Sequence, residues 1–364
     1  MRKIALDSAE PGMVLAKDIY GETGQVLLKA DVKIKAKYIE YLRLAGIESL
    51  YIRDSRIEDV QVEDPITEKT RHEARMMVKD IALGLEPSGS TVKITNSINI
   101  GDREILNTVN KIIDELLESK DAVVQLVDIR TKNNYLFAHS VNCAVLATLV
   151  AIKMNFKHKE LRWIATGALF HDLGMIGVSD QIFQKPTQLT VEEYAIIKEH
   201  PLHSYNILKT TEVFDARAGA VVLQHHERFH GQGYPKGLKG DEISPLAQIT
   251  GLADVFDALT SERPYRKAFK PHEAVEMLIS WGEEMFDLSI LQHFLSAVAA
   301  YPIGAHVLLS NGDSGLVVAN NPGLTLRPVI RILYEKGEAF QPHRHPHELD
   351  LSHTLDLTIV KVIE

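Results

Sequence analysis

The stretch 102-DREILNTVNKIIDELLES-119 sets Ile105, Val109, Ile112, Ile113, Leu116 and Leu117 three or four positions apart, with polar residues between them. That spacing makes one apolar stripe on an α-helix and no continuous face on a strand. Similar stripes recur as far as about Ala300, so residues 102–300 are predicted to form a helical bundle. Outward from it, both ends change character. Upstream, 11-PGMVLAKDIYGETGQVLLKADV-32 carries short β-prone runs broken by glycine. It is followed by 33-KIKAKYIEYLRLAGIESLYI-52, a helix with Ile34, Tyr38, Tyr41 and Leu42 on one side and then a strand, making 1–65 a small α/β module. A charged passage, 53-RDSRIEDVQVEDPITEK-69, leads into a linker and helical connector over 66–101. Downstream, in 303-IGAHVLLSNGDSGLVVANNPG-323, two β-prone runs flank Asn-Gly-Asp-Ser-Gly, a hairpin signal. With 327-RPVIRILYEKGE-338 and 355-LDLTIVKVI-363 it makes 301–364 a small β module. His343, His345 and His347 lie between Pro342 and the chain end, and Pro342 and Pro346 point to an exposed loop there, not a metal site. The fold class is mainly α.

Composition narrows the function. At 364 residues the chain exceeds the roughly 250–300 at which single cores stop growing, so several domains are expected. A formal net charge of -9 argues against a nucleic-acid polymer as partner, while leaving room for a local site for a small anion. No run of about 18 uninterrupted apolar residues occurs, so no membrane span is expected and the cytoplasm is the expected location. The single cysteine, Cys143, sits in the apolar run 141-VNCAVLATLVAI-152 and is expected to be an inert buried thiol, with no intrachain disulfide.

Several metal-binding residue types lie beside apolar helical sequence, where an unpaired polar group is costly. They are His139 in 135-YLFAHSVN-142, His171 and Asp172 in 168-ALFHDLG-174, His200 in 199-EHPLHS-204, His225 and His226 in 225-HHERFHGQGYP-235, and Asp254 in 253-ADVFDALTSERPYR-266. Adjacent helical residues point about 100° apart, so His225 and His226 share a cavity only where a helix ends. His171-Asp172 precedes Gly174, where a helix is expected to stop. A carboxylate can bridge two cations, and neutral imidazoles suit iron, manganese, zinc or nickel. Asp172 is thus the natural bridge and the residue on which catalysis rests. His139 and Asp254 then complete one shell, and His200, His225 and His226 the other. Two ions about 3.5–4 Å apart lower the pKa of a shared water and clamp an in-line phosphoryl displacement, which favours phosphoester hydrolysis over redox chemistry.

In this order, His139, His171-Asp172, His200-Pro201, His225-His226-Glu227, 230-HGQGYP-235 and 254-DVFDALTSERPYR-266, the chain resembles the HD-GYP family, a branch of the HD-domain phosphohydrolases. The resemblance covers about residues 102–300. It implies an HD-type helical bundle, a bi- or trinuclear centre of iron or manganese, and hydrolysis of cyclic di-GMP to linear pGpG or GMP by a metal-activated hydroxide. It also implies that Arg263 and Arg266 face the dinucleotide, where planar guanidinium groups suit phosphate oxygens. Tyr234, in the Gly-Tyr-Pro turn, is a candidate for stacking or phosphate contact, and Asp257, one turn after Asp254, for substrate contact or ligand orientation. Two positions depart from the family. Tyr135 stands where three-metal members have Glu, which favours two divalent ions. Met175 stands where His-Asp-x-Gly-Lys has Lys, and a thioether neither donates a proton nor carries a charge. Three readings therefore stay open: a cyclic di-GMP phosphodiesterase, a sensor that binds cyclic di-GMP with little turnover, and a hydrolase of another cyclic dinucleotide. A homo-oligomer or a signalling protein partner fits each.

Overall fold

The computed structural model describes residues 1–21, 25–47, 49–60, 62, 64–88, 91–94, 102–119, 122–125, 135–261, 266–335 and 341–363. The chain opens with β1 (Arg2–Ala5), β2 (Ile19–Tyr20), β3 (Val26–Leu28), α1 (Ala36–Leu44) and β4 (Ser49–Ile52). Next come α2 (Glu68–Leu83), the ribbon β5 (Leu85–Ser88) and β6 (Thr91–Ile94), α3 (Asp102–Glu118), α4 (Tyr135–Lys153) and α5 (His158–Phe170). A 3₁₀ turn, Leu173–Gly177, precedes α6 (Asp180–Phe183), α7 (Val191–Ile197), α8 (His200–Leu208) and α9 (Ala216–Gln224). The helical part closes with α10 (Pro245–Leu259), α11 (Pro271–Met285) and α12 (Leu288–Ala297). Five strands finish the chain: β7 (His306–Leu309), β8 (Ser314–Ala319), β9 (Val329–Glu335), β10 (Gln341–Asp350) and β11 (Ile359–Ile363).

These elements form two compact units, one of residues 1–64, 122–135 and 298–364, the other of 65–121 and 136–297. In the first, β1 pairs antiparallel with β4 and β2 with β3, over a core of Ile4, Leu15, Ile19, Ile34, Leu42, Ile47 and Leu50. Leu42 is buried as the helical stripe predicts; Ile34 is buried too, but ahead of α1, where its N–H donates to the Met13 carbonyl, and Tyr41 is half exposed while Ile39 packs on this core in its place. The C-terminal strands make one antiparallel sheet, in the order β10-β9-β8-β7-β11. Asn311 and Gly312 turn the β7–β8 hairpin as expected, with Leu308 opposite Ser314. The stretch around Pro342 and Pro346 is not the loop that its prolines suggest. It is strand β10, at the sheet edge, and a register shift between Pro342 and His347 absorbs the missing N–H donors. Ile57, from the N-terminal part of this unit, packs against Leu316 and Val318 of β8.

The second unit is helical. In α3, Ile105, Val109, Ile112, Ile113 and Leu116 are buried, and Leu117 lies at the edge of the stripe, 41% exposed. Thr67 caps α2 by accepting from the Thr70 N–H, and the Thr67 and Thr70 hydroxyls both donate to Glu115 of α3, fixing α2 to its neighbour. One helix, α4, is long and apolar enough to cross a membrane by length and composition. It is buried without a break from Ala138 to Ala151, which is how a helix that is apolar all round behaves at the centre of a folded domain. Polar His139, Ser140 and Asn142 are buried with it; the Ser140 hydroxyl donates to the Leu136 carbonyl of the same helix, and His139 belongs to the site below.

Candidate metal centre

His225 and His226 reach one cavity because α9 stops at Gln224, with His225 at its C-cap. His171 is likewise the C-cap of α5, and His200 opens α8 just after α7 ends. At all three ends the same local device recurs. The ring Nδ1 of His171 donates to the Ala168 carbonyl at 2.7 Å, that of His200 to Ile197 at 2.7 Å, and that of His225 to Val222 at 2.8 Å. Each bond satisfies a carbonyl in the last helical turn, where intrahelical donors run out. A carbonyl can only accept, so Nδ1 carries the proton and each Nε2 turns a lone pair to the cavity.

His139 is set by a different group. Its Nδ1 lies 2.6 Å from Asp257 Oδ2, and a carboxylate fixes the imidazole with Nε2 unprotonated. Of the two roles read for Asp257, substrate contact and ligand orientation, its full burial and its bond to His139 fit the second. His139 Nε2 faces Asp254 Oδ1 at 3.2 Å and Asp172 Oδ2 at 3.5 Å. His171 Nε2 is 3.7 Å from the same Asp172 oxygen and, though buried, has no hydrogen-bond partner among the described residues. On the other side Asp172 Oδ1 lies 3.1 Å from His200 Nε2 and 3.8 Å from His225 Nε2, and those two nitrogens are 3.2 Å apart. His226 Nδ1 stands 3.7 Å from Asp254 Oδ2.

These are acceptors facing acceptors, an arrangement that repels unless a cation lies among them. Two bonds of about 2.1 Å at angles of about 90–130° separate their donor atoms by roughly 3.0–3.8 Å, the range seen here. The donor set therefore fits metal, in two groups: His139, His171 and Asp254 with Cys143, and Asp172, His200, His225 and His226. Burial alone would raise the Asp172 carboxyl, but His171, His200 and His139 together hold it well below the usual carboxylate range. Burial and the neighbouring imidazoles keep His225 far below its ordinary value, and burial takes His226 down to about 3. His225 and His226 are thus neutral, as ligands must be.

The turn that ends the motif is pinned from inside. Buried Glu227 accepts the N–H groups of Lys236 at 2.8 Å and Leu238 at 3.0 Å. A Cβ on Gly233 would lie 2.4 Å from the His226 carbonyl, so only glycine lets the turn close there. Tyr234 then stacks on His226, ring centroids 4.6 Å apart, with Lys198 Nζ 5.6 Å from the phenol ring. Burial pushes the Tyr234 phenol well above its ordinary pKa. Gly174 performs the matching task for Asp172: its N–H donates to Ser204 Oγ at 2.8 Å, and a Cβ would meet the His200 carbonyl at 2.3 Å.

Arg263 lies outside the described residues. Arg266 does not stand free as a phosphate fork; it donates to the carbonyls of Ala258 at 2.8 Å and of Leu259 and Lys267 at 3.0 Å, closing the end of α10. Cys143 proves less remote than its apolar setting suggests. Its Sγ is 3.7 Å from His139 Nδ1, and burial pushes the thiol up to about 12. Spacing held that signal, since Cys143 follows His139 by one helical turn.

The model of the HD domain family matches residues 122–290. Over this stretch the chain is similar to the HD domain family. A second family, the KOW domain associated with HD domain, matches 306–364, which is the C-terminal sheet. The chain is 33% identical to a cyclic di-GMP phosphodiesterase of Pseudomonas aeruginosa, over 62% of this chain and 54% of that one. It is 37% identical to a 3'3'-cGAMP-specific phosphodiesterase of Vibrio cholerae, over 40% of this chain and 32% of the relative. A solved HDG"Y"P protein of Bdellovibrio bacteriovorus aligns with a TM-score of 0.48 at 16% identity, over 80% of this chain and 97% of that one. The chain thus spans about half the length of the Pseudomonas relative and a third of the Vibrio one.

Proposed function

We propose that the HD domain holds two divalent ions, iron or manganese, and that the protein is a cyclic dinucleotide phosphodiesterase that hydrolyses cyclic di-GMP to pGpG, to GMP or to both. The observation that carries this reading is the division of Asp172, with Oδ1 among His200 and His225 and Oδ2 among His139 and His171. Such ions, when bound, supply an acidified water and neutralise charge on a phosphate.

The chain's own groups do the rest. His139, His171 and Asp254 hold one ion, His200, His225 and His226 the other, and Asp172 joins them. Asp257 keeps the His139 lone pair on the ion side. Tyr234 keeps its proton at neutral pH and offers an aromatic face and an O–H at the rim, with the Lys198 ammonium close by for a phosphate. Arg263 is assigned to the dinucleotide phosphate. The buried α4 fits a soluble protein, and the reading places it in the cytoplasm. Anaerobic purification with metal analysis, followed by chromatography of products from cyclic di-GMP, tests the assignment: two ions per chain and a linear product are expected, and metal-free protein inert towards the dinucleotide would reject it. Met175 favours a second reading, a sensor that binds cyclic di-GMP with little turnover, and the same chromatography beside a binding titration separates the two.

A further inference from the structure

We infer that Arg71, on a helix preceding the HD-matched stretch, is a positioning residue for the metal centre, acting through Asn142 and Asp257 on His139. This rests on the metal-binding reading above.

The connection is continuous and buried. Arg71 is 5% exposed on α2, and its Nη1 donates to Asn142 Oδ1 at 2.9 Å. Asn142 is 3% exposed and donates through Nδ2 to Asp257 Oδ1 at 3.1 Å. Asp257 accepts a hydrogen bond from His139 Nδ1–H on its other oxygen, Oδ2, at 2.6 Å. The amide can point only one way in this chain. Its oxygen must face the guanidinium, which has no acceptor, and its NH₂ must face the carboxylate, which has no donor. Arg71 therefore fixes the orientation of Asn142, Asn142 one oxygen of Asp257, and Asp257 the ring of His139.

Electrostatics gives the arrangement its direction. A carboxylate in a fully buried position is costly unless a charge lies near, and a guanidinium cannot lose its proton to escape. Arg71 is the one permanent charge in this chain of bonds, so it sets which way each hydrogen bond runs from Asn142 to Asp257 and where the His139 ring is held. The HD match begins at residue 122, so α2 supplies this part of the site from outside the matched stretch.

The test is metal affinity of the full chain, measured by competition with a chromophoric chelator for Mn²⁺, together with the electron paramagnetic resonance of the bound ion. Arg71→Met should lose about 10- to 100-fold in affinity for one of two ions while the other is retained, the range seen when such outer groups are removed. Arg71→Lys should recover part of it. In an Asp257→Asn background Arg71→Met should add almost nothing, because both act on one ring. Asn142→Leu, which cuts the chain at another point, should behave like Arg71→Met and keeps the inference testable if that variant does not fold. A folded Arg71→Met or Asn142→Leu with two ions bound at wild-type affinity and an unchanged resonance would overturn it. Wild-type protein that binds no ion would overturn the underlying reading as well.

Discussion

At the scale of single residues, the division of Asp172 between two donor groups makes the sharpest demand. Asp172→Ala removes an oxygen from each group, so ion content should fall from about two to near zero by elemental analysis, with helix content unchanged. Full retention of one ion would show that the carboxylate serves only one side. Met175 makes the opposite prediction. If the missing ammonium limits turnover, Met175→Lys should raise kcat, by up to about 10²-fold, with cyclic di-GMP affinity little changed, because a proton donor acts in the transition state. A fast parent enzyme, or a mutant no faster, would assign the proton elsewhere. The candidate ligand residues were legible because each is a costly polar group set in apolar helical sequence. Their partners were not. Asp257 sits one turn from Asp254 and looked equally open to substrate, yet it turns inward to His139, contributed by a helix 118 positions earlier. Arg71 is 71 positions from Asn142, and no local pattern couples two such residues.

Among elements, the end of α10 decides what Arg266 is for. Its guanidinium bonds carbonyls that an α-helix terminus leaves without donors, and its face lies 4.5 Å from the Phe269 ring centroid. Arg266→Ala should therefore cost about 1–3 kcal/mol of stability in chemical denaturation, with cyclic di-GMP affinity of the folded protein lowered only modestly. A variant as stable as the parent that binds the dinucleotide far more weakly would return Arg266 to the phosphate. This role of Arg266 was not legible because the sequence states its charge but not the carbonyls of Ala258 and Leu259 that it meets. Strand β10 was hidden for a related reason. Proline argues against a central strand, but not against an edge strand whose register shift removes the need for the donor. The β7–β8 hairpin, by contrast, was legible because Asn-Gly between β-prone runs is itself the turn chemistry.

Across the whole chain, the first and last segments fold into one unit, and a charged cluster joins them. The Asp54 carboxylate accepts from Arg56 Nε at 2.8 Å and Nη2 at 2.6 Å, with Arg2 beside it, and Arg56 Nη1 donates to the Tyr334 hydroxyl of β9 at 3.2 Å. The bonds from Arg56 hold the Asp54 carboxyl below its usual range, against its burial. A carboxyl depressed by folding adds stability that is complete above its unfolded pKa of about 4 and lost as pH falls through the lower folded value. Asp54→Asn should thus melt below the parent at pH 7, and the gap should narrow as both are taken below about pH 4 and close as pH falls through the parent's lowered folded value. Scanning calorimetry of the full chain at several pH values reads that gap directly. Two melting curves that stay parallel across the window would mean that Asp54 stabilises the unit by packing and not by charge, and that Arg56 is anchored chiefly by Tyr334.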